Sequence, residues 1–154
     1  MSTRSATHFR DITLDGVSTA IVYRHHDGYP EGAGVDLMKF IEQVKEQTSR
    51  EGASMYGTRF DDSSYLAAKY LTFLVTEGYK YDKDYPLDFG GVGILNQDPM
   101  DIDYRYIVVC DGTPTIYVQK IGWLPNGDSA QIAFDWDDSA PELLTSVLDK
   151  LQMI

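Results

Sequence analysis

The chain has 154 residues, with 24 Asp and Glu against 13 Lys and Arg, for a formal net charge of −11. That length suits one domain with a core that needs no staples. The charge argues against a nucleic-acid duplex or an anionic membrane as partner, because both require basic surface, while a small anionic ligand needs only a few local donors.

Asp15-Gly16 suits a two-residue hairpin turn in which both residues take positive φ, between strands predicted over Ser5–Leu14 and Val17–His26. With that turn Leu14 faces Val17, Arg10 faces Ile21, His8 faces Tyr23, Ala6 faces His25 and Arg4 faces Asp27. Arg4, His8, Arg10, Thr19, Tyr23, His25 and Asp27 then share one face, and Ser5, Thr7, Phe9, Val22, Arg24 and His26 the other. A one-residue bulge exchanges the sets.

The stretch from Tyr23 to Gly34 (YRHHDGYPEGAG) gathers two of the three histidines, an arginine, two tyrosines, a proline and three glycines. Beyond it, Leu37, Met38, Ile41 and Val44 follow helical spacing from near Val35 to before Gly52. Residues 51–62 have no clear period and read as a loop. Ser63 or Ser64 caps a second helix that Gly78 stops; its run Tyr65–Val75 is apolar nearly all round, which predicts a central or interface helix.

Tyr79–Phe89 reads as a polar-aromatic loop, and Gly90–Leu95 as a short strand. A β-meander follows: Tyr104–Cys110, a turn at Asp111-Gly112, Thr115–Trp123, a turn at Asn126-Gly127, then Gln131–Trp136. Cys110 is the single cysteine. It excludes an intrachain disulfide, fits a reducing compartment, and reads as a buried inert thiol in its strand. Ser139 caps a last helix with Pro141 and Glu142 in its first turn and an apolar stripe of Leu143, Leu144, Val147, Leu148 and Leu151. The expected fold over residues 1–154 is a single α+β domain, an antiparallel sheet with about three helices mainly on one face. With no long apolar run or signal-type segment, the expected location is the cytoplasm. Eleven tyrosines suit pockets and subunit interfaces, so a homo-oligomer is expected.

The strand, glycine-rich loop and helix make the main candidate site. Arg4, Arg10, Arg24 and His25 offer charge-assisted donors to a phosphate or carboxylate, with Ser5 and Asp27 beside them. Tyr23 and Tyr29 would pack on a base or sugar, and Gly28, Gly32 and Gly34 would let backbone N–H groups at the helix start approach the anion. The alternative is a connector that satisfies itself, with Arg4 bridging Asp27.

A metal site built from His8, His25, His26 and Asp27 is not expected, because adjacent His25 and His26 on a strand point to opposite faces. No cofactor is expected. A hydrolase would use His25 or His26 as acid or base, Asp27 to orient it, and Ser5 or Thr7 as nucleophile. No G-x-S-x-G or H-E-x-x-H motif accompanies them, and Gly90-Gly91-Val92-Gly93 lacks the lysine of a P-loop. The acidic groups Asp82/Asp84/Asp88, Asp98/Asp101/Asp103 and Asp135/Asp137/Asp138 do not follow a calcium-loop pattern and read as solvated loops and caps.

Arg4-Ser5, then Tyr23, Arg24, His25, Asp27, Gly28, Tyr29 and Pro30, with Gly34 leading into a helix, resemble a family of small uncharacterised bacterial and phage proteins with a Tyr-Arg-His-Trp-Asp-Gly-Tyr-Pro motif. His26 stands where that motif has Trp, which makes it the weaker bearer of a shared role. The likeness extends to Asp103–Tyr106 and leaves the middle of the chain uncovered. It implies a phage anti-defence context in the host cytoplasm, where some small acidic proteins sequester nucleotide signals. Three functions follow as expectations: an oligomeric binder of an anionic nucleotide, cyclic nucleotides included; an enzyme cleaving that ligand with His25 and Asp27; and a module that blocks a host protein.

Overall fold

Strand β1 (Ser5–Asp11) pairs antiparallel with β2 (Ser18–Arg24), but His8 lies opposite Ile21 and Ala6 opposite Tyr23. The connection explains the difference. The Gly16 N–H donates to the Thr13 carbonyl, so Leu14 and Asp15 are the central residues of that turn, and neither Asp15 nor Gly16 takes positive φ. Ile12 does so instead, at φ 68°, in a γ-turn closed by the Thr13 N–H on the Asp11 carbonyl. The pairing is thereby slipped by one whole pleat from the predicted one, which preserves the faces. A bulge after Phe9 then sets Ser18 opposite Arg10 and turns Thr19 over to meet the Ser63 hydroxyl, on the face opposite to the one predicted.

The computed structural model describes residues 2–49, 62–78, 84, 91–99, 101–110, 113–124, 135–138 and 140–152. The predicted turns at Asp111-Gly112 and Asn126-Gly127, the Ser139 cap and nearly all of the Tyr79–Phe89 loop lie outside them. Strands β3 (Val92–Leu95), β4 (Tyr104–Cys110), β5 (Thr115–Leu124) and β6 (Asp135–Asp138) complete a sheet of order β3-β2-β1-β4-β5-β6. The short β7 (Glu142–Leu143) also pairs with β5.

The sheet is mixed, not wholly antiparallel as expected. β1 and β4 run parallel at its centre, Ser5 beside Tyr104 through Asp11 beside Cys110. Their entry is fixed by the Arg4 carbonyl, which accepts from the N–H groups of both Asp103 and Tyr104. β4 is buried on both faces, Tyr106, Val108 and Cys110 on one and Ile107 and Val109 on the other, as interior parallel strands usually are.

Helices α1 (Val35–Ser49), α2 (Ser63–Phe73) and α3 (Leu144–Lys150) pack on one face of the sheet. Leu37, Phe40 and Val44 of α1, Leu66, Tyr70 and Phe73 of α2, and Leu144 and Leu148 of α3 meet Phe9, Val22, Tyr106, Val108 and Ile116. The Tyr70 ring sits 5.7 Å from Phe9 and 5.3 Å from Phe40, so the predicted central helix is α2. Its cap is Asp62 and not a serine: Asp62 Oδ1 accepts from the N–H groups of Ser64 and Tyr65, while Ser63 N–H donates to Asp11. α3 starts later than predicted because Glu142 and Leu143 bond β5 first, which leaves Leu143 exposed. On the opposite sheet face Ala6, Ile21, Ile102 and Ile121 form a second, smaller cluster. Among the described residues no helix is long and apolar enough to cross a membrane.

Candidate functional site

The Tyr23–Gly34 connector is held both by its own groups and by the chain around it. β2 ends at Arg24, and the His25 N–H donates to the Gly91 carbonyl at 3.0 Å. Asp27 then reverses the chain at φ 54°, a conformation that Asp tolerates. Gly28 lies flat on the start of β1, where a Cβ would come within 2.8 Å of the Arg4 carbonyl carbon. Its N–H donates to Thr3, and its carbonyl accepts from the buried Tyr106 hydroxyl at 2.7 Å. Pro30–Gly34 forms a single π-helical turn that runs into α1.

The structure divides the predicted ligand residues between places. Arg24 and Ser5 lie on the helix face, and Tyr23 and Arg10 on the open face. Arg24 is nearly fully buried and donates to Asp36 Oδ2 and to the His26 carbonyl. Arg4 pairs with Asp101 and not with Asp27, while its N–H donates to Asp103. Arg4 Nε and the Ser5 hydroxyl are buried and find no hydrogen-bond partner among the described residues. His25 meets the Tyr23 hydroxyl through Nδ1 at 2.7 Å and the His26 ring at 4.7 Å. Tyr29 donates to Asp27 Oδ1; that bond to a carboxylate raises the phenol pKa. The close approaches predicted for a ligand are taken up by the chain itself: Arg4 and Ser5 at Gly28, the Asp27 carbonyl at Gly32, and Leu144 at Gly34.

A second constellation forms on the open face, around His8. The side chains of His8, Arg10 and Ser18 converge there because Arg10 follows His8 by one pleat and the bulge brings Ser18 opposite Arg10. The segment after β3 carries Asp98 over the sheet to the same place. His8 Nε2 lies 2.6 Å from Asp98 Oδ1, and His8 Nδ1 lies 2.6 Å from Ser18 Oγ. Arg10 donates through Nε to Ser18 Oγ at 2.9 Å and through Nη1 to the Leu14 carbonyl, with Nη2 3.5 Å from His8 Nδ1. Arg105 from β4 donates to Asp98 Oδ2 through Nε and Nη2 and to Gln119 Oε1 through Nη1.

Asp98 accepts at both oxygens, so the ring nitrogen facing it carries a proton. With the ring neutral, Nδ1 presents a lone pair, and the Ser18 hydroxyl donates to it while accepting from Arg10. The bonds then run in one direction, from Arg10 through Ser18 and His8 to Asp98. Burial works to raise the Asp98 carboxyl, but the hydrogen bond from His8, the charge that ring carries once it is doubly protonated, and Arg105 outweigh it and hold the pKa below the usual value. Burial, followed by the nearby Arg105 charge, lowers the pKa of Arg10.

Within this constellation Arg10 is expected from the sequence as a ligand residue weaker than Arg4, Arg24 and His25, and His8 as a metal candidate, whereas Ser18, Asp98 and Arg105 are not among the expected site residues. In the Asp98/Asp101/Asp103 group Asp101 is exposed, as expected, but Asp98 and Asp103 are partly buried, and each of the three takes a partner from β1 or the residue before it. The spacing of these aspartates just ahead of a strand was the available signal. Among the described residues no group of three or more His, Cys, Asp or Glu is arranged to hold a metal. A groove of about 220 Å³ between α1 and α2, lined by Phe40, Val44, Gln47, Lys69 and Phe73, does not touch either constellation. No protein-family model, curated protein or solved structure matches the chain.

Proposed function

We propose that the protein binds a small anionic ligand, and that Arg10 on the open sheet face is its principal anchor. One observation carries this reading. Arg10 is a half-buried guanidinium whose hydrogen-bond partners among the described residues are the Ser18 hydroxyl, the Leu14 carbonyl and a histidine ring. Arg4 and Arg24, by contrast, each hold a carboxylate. Among the described residues no carboxylate bonds Arg10 directly, although Asp98 and Asp15 act on it at longer range, so its guanidinium offers an anion the donors that Arg4 and Arg24 give to carboxylates.

The strained Ile12 turn lies in the same β1–β2 connection as Leu14, the Arg10 acceptor, and backbone strain concentrates where a site is being shaped. A nucleotide signal is the ligand class that fits this donor set together with the phage-protein resemblance, and capture of that signal would remove it from solution. Calorimetry with inorganic phosphate and a panel of linear and cyclic nucleotides tests the reading. Arg10→Ala should weaken binding about tenfold to hundredfold, the worth of a charge-assisted hydrogen bond, and Arg4→Ala should weaken it less. Absence of binding at tens of micromolar across the panel, or equal affinity in Arg10→Ala, sinks it.

A further inference from the structure

We infer that Ser18 is a nucleophile, activated by His8 and positioned through Asp98, that attacks a phosphodiester held by Arg10; this rests on the anion-binding reading above.

The inference stands on the direction of the hydrogen bonds. A serine hydroxyl is a weak nucleophile until a base accepts its proton, and the arrangement that supplies this is a nucleophile bonded to a base that is itself oriented by a third group. Ser18 Oγ and Asp98 Oδ1 each lie 2.6 Å from opposite nitrogens of the His8 ring. Asp98 fixes the tautomer that leaves Nδ1 able to accept from Ser18. Arg105 in turn holds Asp98 through its other oxygen. Ser18 is only half-buried while His8 is nearly fully buried, so the nucleophile lies nearer solvent than its base. Among the described residues Arg10 Nη2 has a single long contact, 3.5 Å to His8 Nδ1, and is the donor left to hold a non-bridging phosphoryl oxygen beside the attacking atom.

The step balances within these groups. Ser18 Oγ bonds to phosphorus, its proton passes to His8 Nδ1, the bond to one ester oxygen breaks, and that oxygen leaves with the proton from His8. Water then attacks the phosphoserine ester with its proton passing to Nδ1, and Ser18 departs and recovers it.

Two probes test the assignment. A neutral fluorophosphonate traps an activated serine whether or not Arg10 binds anions, since fluoride leaves as Oγ bonds to phosphorus. Bis(p-nitrophenyl) phosphate is an anionic diester that reports p-nitrophenolate release. Intact-protein mass spectrometry should find one adduct, on Ser18, that is absent in Ser18→Ala. His8→Gln should slow labelling by about a hundredfold or more, as removal of a general base does. Release from the diester should fall in Arg10→Ala while labelling persists. Asp98 acts through His8, so Asp98→Asn should shift the imidazole nitrogen NMR signals to the other tautomer, a change that loss of packing alone does not produce. Circular dichroism confirms that each variant folds. No adduct, an adduct elsewhere, or equal labelling in His8→Gln overturns the assignment. If phosphate still binds in that case, only the nucleophile falls; if it does not, the binding reading falls with it.

Discussion

Arg24 Nη1 donates to Asp36 Oδ2 at 2.7 Å, with side chains only 6% and 17% exposed, and so joins the end of β2 to the first turn of α1. Removing one partner of such a pair leaves an uncompensated buried charge. Arg24→Ala should therefore lower the unfolding free energy by about 3–5 kcal/mol. Arg24→Met combined with Asp36→Leu should cost less than the single change, because no charge is stranded. Urea denaturation of the three proteins decides it, and a double variant weaker than the single one would contradict the argument.

Ile12 holds φ 68° while its side chain is 71% exposed, so a β-branched residue carries backbone strain without packing in return. Such strain costs on the order of 1–3 kcal/mol, of which glycine's larger unfolded-state entropy cancels about 0.5–1. Ile12→Gly should raise the thermal midpoint. A lowered midpoint would mean that the residue makes a contact worth more than its strain.

The Asp98 carboxyl is held below its ordinary value of 3.8, against the effect of burial, by His8 and Arg105. A depressed carboxyl contributes stability that is present above its unfolded value and is lost as pH falls through the lower folded one. The stability difference between the native protein and Asp98→Asn should thus shrink as pH falls below 3.8. Chemical denaturation across the acid range measures it, and a gap that widens there would reverse the assignment.

Burial pushes the Tyr70 hydroxyl up to about 12, and burial with neighbouring Tyr70 and Tyr104 pushes Tyr106 well above 10.0. Both phenols contribute stability that is complete below the unfolded value of 10.0 and is lost as pH rises towards their folded values. Spectrophotometric titration of the eleven tyrosines should show the exposed ones ionising first and a late group appearing only with unfolding. In Tyr70→Phe that late group should lose one phenol. A smooth titration of all eleven without unfolding would show that these rings are open to solvent.

Patterns that depend on parity were legible in the sequence. The turn between β1 and β2 centres on Leu14 and Asp15 and not on Asp15-Gly16, yet Phe9 and Val22 still share the helix face, and His8 and Tyr23 the other, because a slip of one pleat restores the alternation. The parallel contact of β1 with β4 had no local signature, since turn residues announce only antiparallel neighbours. Its one trace was Ile107, Val108 and Val109, an uninterrupted apolar run that suits a strand covered on both faces. The site divided in the same way. His8 and Arg10 follow from the strand period, whereas Asp98 and Arg105 reach the cluster through the β3–β4 connection and the parallel pairing. The charge pairs Arg4–Asp101 and Arg24–Asp36 were invisible for a related reason: the predicted hairpin register set Asp27 opposite Arg4, and the fold supplied carboxylates from outside the hairpin instead.

The contact between Arg4 and Asp103 spans 99 positions, and the parallel strand pair at the middle of the sheet begins there. A ribosome must therefore release roughly two-thirds of the chain before β1 can find its inner neighbour. Until then the β1–β2 hairpin waits with an open inner edge, the kind of surface that attracts other strands. Closing so long a loop also makes assembly slow compared with that of a domain built from adjacent contacts. Moving β1 behind β4 by circular permutation would shorten that search, and the refolding rate of such a protein would report how much of the delay it causes.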